Sequence, residues 1–216
     1  ENGVCGGALD AFGGGTAITL SRNEYRESLD IDFLVSNREG YQFLRQVLKS
    51  ERGINALVRD GMELATTREI RSDQYGIRTL LRVMETEIKF EIVFEARIPL
   101  QESGENDLIC GVKTLTSVDM AASKMLANSD RWHDDSVFSR DLIDLAMLNL
   151  PKSTLGQALE KAHRAYGDSA MTDLRKAIDA LAKRKGRLEE CMLALQMDET
   201  PKALLWNHIR ALKKIN

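Results

Sequence analysis

Cysteine, proline and long apolar runs are all scarce in this chain, and each scarcity removes a class of protein. The cysteines number 3, at Cys5, Cys110 and Cys191, far apart and with no C-x-x-C spacing. That argues against a disulfide framework or a cysteine-based zinc site and leads us to expect a reducing, cytoplasmic setting. With 3 prolines and 15 glycines in 216 residues, the chain is neither collagen-like nor of low complexity. No apolar run approaches the roughly 20 residues that a membrane helix needs. Glu1–Asp10 also lacks the basic start and apolar core of a secretory leader, so no membrane partner is expected. Positive charge is not in excess either. Lys and Arg total 30 against 33 for Asp and Glu, a formal net charge of -3. That balance excludes a strongly basic nucleic-acid coat and leaves a local basic patch open. What is present is the 43% hydrophobic, 29% charged mixture of an ordinary globular protein, long enough to bury a real core.

The sequence changes character near residue 115. Most glycines and most alternating runs lie before it, and Ala-, Leu-, Lys- and Glu-rich segments of helical period lie after it. This predicts an α+β fold with a mixed sheet and helices over residues 1–115, followed by a helical domain over 116–216. An apolar run, Ala8–Phe12, is stopped by Gly13-Gly14-Gly15, and a short helix over Thr16–Ser21 follows. Leu29–Val35 alternates as a strand. Tyr41–Lys49 is helical, with Phe43, Leu44, Val47 and Leu48 on one face. Strands are expected at Leu64–Arg71, Gly76–Met84 and Glu87–Phe94. Helices are expected at Ser117–Asn128, capped by Ser117, and at Phe138–Asn149, Thr154–Ala165, Met171–Arg184, Arg187–Gln196 and Pro201–Lys214.

The most informative stretch is Gly13-Gly14-Gly15-Thr16 followed by Asp30-Ile31-Asp32-Phe33. Residues i and i+2 of a strand share a face, so Asp30 and Asp32 lie side by side there. Two such carboxylates repel each other unless one is protonated or a divalent cation joins them. Mg²⁺ is often held by one or two carboxylates together with substrate phosphates. A glycine turn that opens a helix lets backbone N–H groups approach phosphate oxygens. The order of strand, glycine turn, short helix and D-x-D strand supplies the parts of a phosphate-and-metal site, although each feature taken singly also describes a solvated strand face or a turn.

In that order of parts the chain resembles the polymerase-β-type nucleotidyltransferase superfamily and, more narrowly, the AbiEii/AbiGii toxin family. Gly14, Gly15, Thr16 and Ala17 match the first block of that family. Arg26, Ser28, Asp30, Asp32 and Phe33 match the second. Gly stands where many relatives carry Ser, so Thr16 or Ser28 is left to supply the phosphate-binding hydroxyl. The resemblance implies a third carboxylate on a neighbouring strand. Glu87, Glu91 and Glu95 share one face of the Glu87–Phe94 strand with Lys89, and Glu91 is taken because it lies mid-strand. The same pattern also describes the wet face of an edge strand. The family further shows a helical Lys and an R-D-x-x-D-L block, matched by Lys124 and by Arg140-Asp141-Leu142-Ile143-Asp144-Leu145. From these, Lys124 and Asp141 are added to the catalytic set.

The resemblance implies a nucleotidyltransferase that uses Mg²⁺ or Mn²⁺ on Asp30, Asp32 and Glu91. Gly14, Gly15, Thr16 and Ser28 would bind a nucleoside triphosphate. It also implies tRNA or another RNA as acceptor and a cognate antitoxin as partner. Two alternatives stay open at this point: a small-molecule, aminoglycoside-type nucleotidyltransferase, and a nucleotide-binding module without turnover. A cationic sugar would call for an acidic pocket and RNA for a basic groove. His133, His163 and His208 are too scattered to form a ligand cluster, and the basic Lys183–Arg187 stretch reads equally as a solvated helix end.

Overall fold

The computed structural model describes residues 11–58 and 61–215, so Cys5 and the start of the Ala8–Phe12 run lie outside the described residues. Strand β1 (Ala11–Gly13) runs straight into helix α1 (Gly14–Ser21) with no intervening loop. Gly14 makes that possible with φ of 70°, a backbone state that side chains other than Gly rarely adopt. Strand β2 (Ile31–Val35) and helix α2 (Arg38–Leu48) follow, then a 3₁₀ turn at Gly53–Ala56. Asn37 caps α2 by accepting the Gly40 N–H at 3.0 Å. The buried face of α2 is Tyr41, Leu44 and Leu48, whereas Phe43, expected inside, is exposed.

Next come β3 (Ala65–Thr66), β4 (Arg71–Ser72), β5 (Gly76–Val83) and β6 (Thr86–Phe94), with a hairpin of β7 (Leu108–Ile109) and β8 (Val112–Lys113). The six-stranded sheet has the order β1-β2-β6-β5-β3, and β4 also pairs with β5. It is mixed: β2 and β6 run parallel, and the other pairs are antiparallel. Strand β6 is therefore interior, not an edge strand. The long strand expected at Leu64–Arg71 is two short ones. Thr79 Oγ1 donates to the Arg68 carbonyl at 2.8 Å, which replaces a ladder bond between them, and Ile70 packs against the core. That core lies on one face of the sheet, where Val35, Ile77, Leu81, Phe90 and Ile92 meet Tyr41, Leu44, Leu48 and Ile54. Burying a side chain such as Leu44 stabilises by about 1.5–3 kcal/mol.

The remaining helices are α3 (Ser117–Arg131), α4 (Arg140–Met147), α5 (Lys152–Tyr166), α6 (Ser169–Lys183), α7 (Arg187–Ala194) and α8 (Lys202–Leu212). Helix α3 is capped by Thr116 rather than Ser117: the Thr116 hydroxyl accepts the Asp119 N–H at 3.2 Å. Helix α4 starts two residues later than expected because Phe138 and Ser139 are both left-handed, with φ of 51° and 53°. Helix α3 packs against α4, α5 and α6, and α4 against α8. The side chains of Met125, Leu126, Leu142, Ile143, Leu145 and Leu174 there are fully buried.

The chain divides into two compact units. One is the sheet unit, the chain up to Ala17 together with Leu29–Leu115. The other is the helical unit, Ile18–Ser28 together with the chain from Thr116 onward. Among the described residues no helix is long and apolar enough to cross a membrane.

Candidate active site

In the sheet unit the strand register sets out a row of residues on the face opposite the core. Gly13 pairs with Asp32, Asp32 with Glu91, and Glu91 with Arg78. Paired residues of neighbouring strands share a face, so β1, β2, β6 and β5 each contribute one member. Asp30 immediately precedes β2, and both it and Asp32 are half-buried. Thr16, in the first turns of α1, donates its hydroxyl to the Asp30 carbonyl. That bond ties the glycine turn to the start of the D-x-D strand.

The tightest packing is between Gly14 and Asp32. A Cβ on Gly14 would lie 2.2 Å from Asp32 Oδ2 and 2.9 Å from its Cγ. The backbone of the glycine turn therefore lies directly against the carboxylate, in a space that any side chain at position 14 would fill. Gly15 and Thr16 follow it in α1. Gly13 is also close-packed, since a Cβ there would meet Leu34 at 2.5 Å and Leu115 at 2.8 Å.

Glu91 lies beside Asp32 in register, and its carboxylate is turned to two cations. Arg78 Nε donates to it at 2.8 Å, and Lys89 Nζ also pairs with it. Arg78 reaches Asp73 as well, at 3.0 Å. No group of three or more His, Cys, Asp or Glu side chains suited to a metal forms among the described residues. Asp30 and Asp32 nonetheless fit a hard divalent ion. Their donors are carboxylate oxygens, glycine at position 14 lays no side chain over Asp32, and Mg²⁺ commonly takes only one or two protein carboxylates. Glu95, the third glutamate of that strand face, is buried and held by Arg97 at 2.6 Å.

Lys124 and Asp141 lie in the helical unit, inside a buried ionic network. Lys124 Nζ is 3.3 Å from Asp141 Oδ1 and 2.7 Å from Asp144 Oδ2. Arg131 grips Asp141 with Nε at 2.6 Å and a terminal nitrogen at 2.9 Å. Arg26 grips Asp144 at 2.7 and 2.9 Å, and the Tyr25 hydroxyl donates to the same carboxylate at 2.6 Å. Three cations thus meet two carboxylates. Burial acts to raise the Asp141 pKa, but Lys124 and Arg131 outweigh it and hold the group at about 2. Asp144 is also held below the ordinary carboxylate range, since Lys124 and Arg26 overcome its complete burial. Burial, together with the same carboxylate, pushes the Tyr25 hydroxyl far up. Ser28, half-buried, is the last residue of the Ile18–Ser28 segment.

A glycine turn is thus packed on a D-x-D carboxylate, and a helical Lys is bound to the aspartates of an R-D-x-x-D-L block. The family model described as nucleotidyl transferase AbiEii toxin, type IV toxin–antitoxin system, matches residues 8–212. The chain belongs to that family. It is thus a nucleotidyltransferase of the AbiEii toxin type, for which the family implies a nucleotide substrate and an antitoxin partner. No curated protein matches the chain.

For this AbiEii family member, several residues that sequence reasoning left without a role are prominent in the structure. Arg26 and Asp144 both stand inside the quoted motifs, yet their pairing with each other is not visible in either. Arg131 lies one full heptad beyond Lys124 on α3, which puts both on the helix face that meets Asp141. Arg78 and Lys89, the partners of Glu91, carry no motif at all.

Proposed function

We propose that this toxin transfers a nucleoside monophosphate from a nucleoside triphosphate to an RNA acceptor, the acceptor end of tRNA being the target. The observation that carries this reading is the Gly14 backbone against the Asp32 carboxylate; it supports the reading because the N–H groups of a glycine turn suit phosphate and a carboxylate suits a divalent ion. Gly14, Gly15 and Thr16 bind the triphosphate, and Ser28 adds a hydroxyl just before the D-x-D strand. Asp30 and Asp32 would hold Mg²⁺ or Mn²⁺. When bound, that ion neutralises phosphate charge which the two carboxylates would otherwise repel. Glu91, in register with Asp32, is assigned as the third carboxylate. The acceptor hydroxyl attacks the α-phosphorus in line. A new P–O bond to the acceptor forms, the hydroxyl proton is released to solvent, the bond to the bridging oxygen breaks, and pyrophosphate leaves with the electron pair. The roles of Lys124 and Asp141 follow the family motif: Lys124 offsets charge on the transferring phosphates, and Asp141 orders Lys124 through the contact described above.

The test is incubation of the protein with each labelled nucleoside triphosphate, Mg²⁺ and total RNA. Label on RNA is expected, lost with chelator and lost in Asp30→Ala and Asp32→Ala. Label confined to the protein, or none with any of the four nucleotides, would overturn the reading.

A further inference from the structure

The sheet face that carries Asp32 and Glu91 does not end at Glu91. Beyond it lies a cleft of about 500 Å³ whose lining includes Arg68, Arg71, Arg78 and Lys89, with Glu69 as the one carboxylate. The register shows how the cleft joins the acidic row. Arg78 pairs with Glu91 across β5 and β6, Arg71 pairs with Arg78 across β4 and β5, and Leu80 pairs with Lys89. Arg78 and Lys89 are already engaged by Glu91. Arg68 and Arg71 are exposed and make no ion pair among the described residues. Nothing in the fold of the sheet requires two unpaired arginines on one lip of a cleft.

We propose that this cleft binds the phosphodiester backbone of the acceptor RNA strand, with Arg68 and Arg71 as the phosphate ligands. The proposal rests on the reading of the Asp30/Asp32 row as the site of transfer. Guanidinium groups match phosphate oxygens with paired N–H donors, and a concave wall of one charge sign concentrates the field on a polyanion. The position is also apt. Neighbouring strands lie about 4.8 Å apart, so the backbones of β5 and β4 are roughly 10 and 15 Å from that of β2. A strand whose end reacts beside Asp32 would therefore cross the cleft within a few nucleotides of that end. Leu80, half-buried in the cleft, offers apolar surface to a sugar or base. A cationic sugar acceptor would be repelled by the same lining.

The test is RNA binding by the unmodified chain and by R68A/R71A, followed by fluorescence anisotropy with a labelled single-stranded 12-nucleotide RNA across a salt series. Binding is expected to weaken about tenfold or more in the variant. The slope of log affinity against log salt should become shallower by roughly 1.5, because two phosphates are no longer neutralised by the protein. R68K/R71K should recover part of both. An unchanged affinity and slope would overturn the proposal. So would retention of RNA binding with loss of binding to a polyglutamate peptide, which would give the cleft to an acidic protein. Nucleotidyl transfer is read separately on the unmodified protein. Transfer without an effect of R68A/R71A on RNA binding removes the cleft and leaves the activity. The expected binding effect without any transfer removes the activity and leaves the cleft.

Discussion

Arg26 and Asp144 stand 118 residues apart in the chain and meet as a two-pronged ion pair, Nε to Oδ1 at 2.7 Å and the terminal nitrogen to Oδ2 at 2.9 Å. Neither side chain is more than 3% exposed. The pair sits where Ile18–Ser28, which lies between two strands of the sheet in sequence, joins the helical unit in space. Leu29 and Asp30 follow directly. The arginine of the family's second block and an aspartate of its last block therefore meet as one buried ion pair within the helical unit.

Removing one partner of such a pair leaves the other charge buried and uncompensated. Arg26→Ala or Asp144→Ala is expected to destabilise the protein by about 3–5 kcal/mol. The double replacement R26M/D144L should cost less than the sum of the two single changes, although Lys124 then also loses its nearer carboxylate. Urea unfolding at pH 7 measures this. Single variants that each cost under about 1 kcal/mol would show that the network is not holding the segment.

Acid should loosen the same network in a defined window. The pKa of Asp141 is about 2 in the folded chain against an ordinary value of 3.8. A carboxylate held lower in the folded state stabilises above its unfolded pKa, and that contribution is lost as pH falls through the folded value. The loss therefore begins near pH 4 and is complete below about pH 2, and amounts to roughly 2 kcal/mol for this group. Asp144, displaced in the same direction, adds to it. Thermal melts from pH 6 to pH 2 should show the decline, and Asp141→Asn should flatten its Asp141 share while lowering stability at neutral pH. A decline of equal depth in Asp141→Asn would move the effect to other groups.

Gly14→Ala strikes the site in two ways. The left-handed φ of 70° costs an L-residue about 1–2 kcal/mol, and the new methyl would fall 2.2 Å from Asp32 Oδ2, so the carboxylate has to move. Gly111 has a comparable φ of 77° with nothing near its Cβ position. Gly111→Ala should thus show the backbone cost alone. Comparing the two variants isolates the displacement of Asp32: transfer should fall at least about 100-fold in Gly14→Ala and stay near normal in Gly111→Ala. Equal activity in the two would mean that the close packing on Asp32 has no catalytic consequence.

How much of this was legible in the residues depends on how local the cause is. The D-x-D strand, the glycine turn and the helices of the second half come from short-range patterns, and those patterns survive folding. Glu91 was legible as one of three glutamates on a strand face. Its partnership with Asp32 was not, because parallel pairing of β2 with β6 joins segments about 60 residues apart, and alternating charge looks the same on an interior strand as on an edge strand. The same holds for the basic cleft. Arg68, Arg71, Arg78 and Lys89 come from different stretches of chain, and an overall charge of -3 gives no hint that they meet. Asp141 and Asp144 were visible at i, i+3, but the choice between them was not, since Arg26 approaches from the other end of the sequence.

The sharpest separation of chemistry from architecture lies in the acidic row itself. Asp30→Ala leaves the hydroxyl bond of Thr16 intact, because that bond goes to the backbone carbonyl of residue 30. Asp32→Ala removes the half-buried carboxylate packed against Gly14. Both variants should keep their folding stability within about 1 kcal/mol and lose transfer by at least about 100-fold. Glu91→Gln is the informative third case. Its partners Arg78 and Lys89 are 43% and 45% exposed, so the broken pairs cost no more than about 1 kcal/mol. If Glu91 takes part in the reaction, its loss should steepen the Mg²⁺ requirement and lower the maximal rate without weakening RNA binding. If it only balances Arg78 and Lys89 at the mouth of the basic cleft, freeing those cations should tighten RNA binding and leave the Mg²⁺ requirement unchanged. Measuring the transfer rate against Mg²⁺ alongside RNA affinity for the one variant decides between the two, and a Glu91→Gln protein with unaltered Mg²⁺ dependence and full rate would strike Glu91 from the catalytic set.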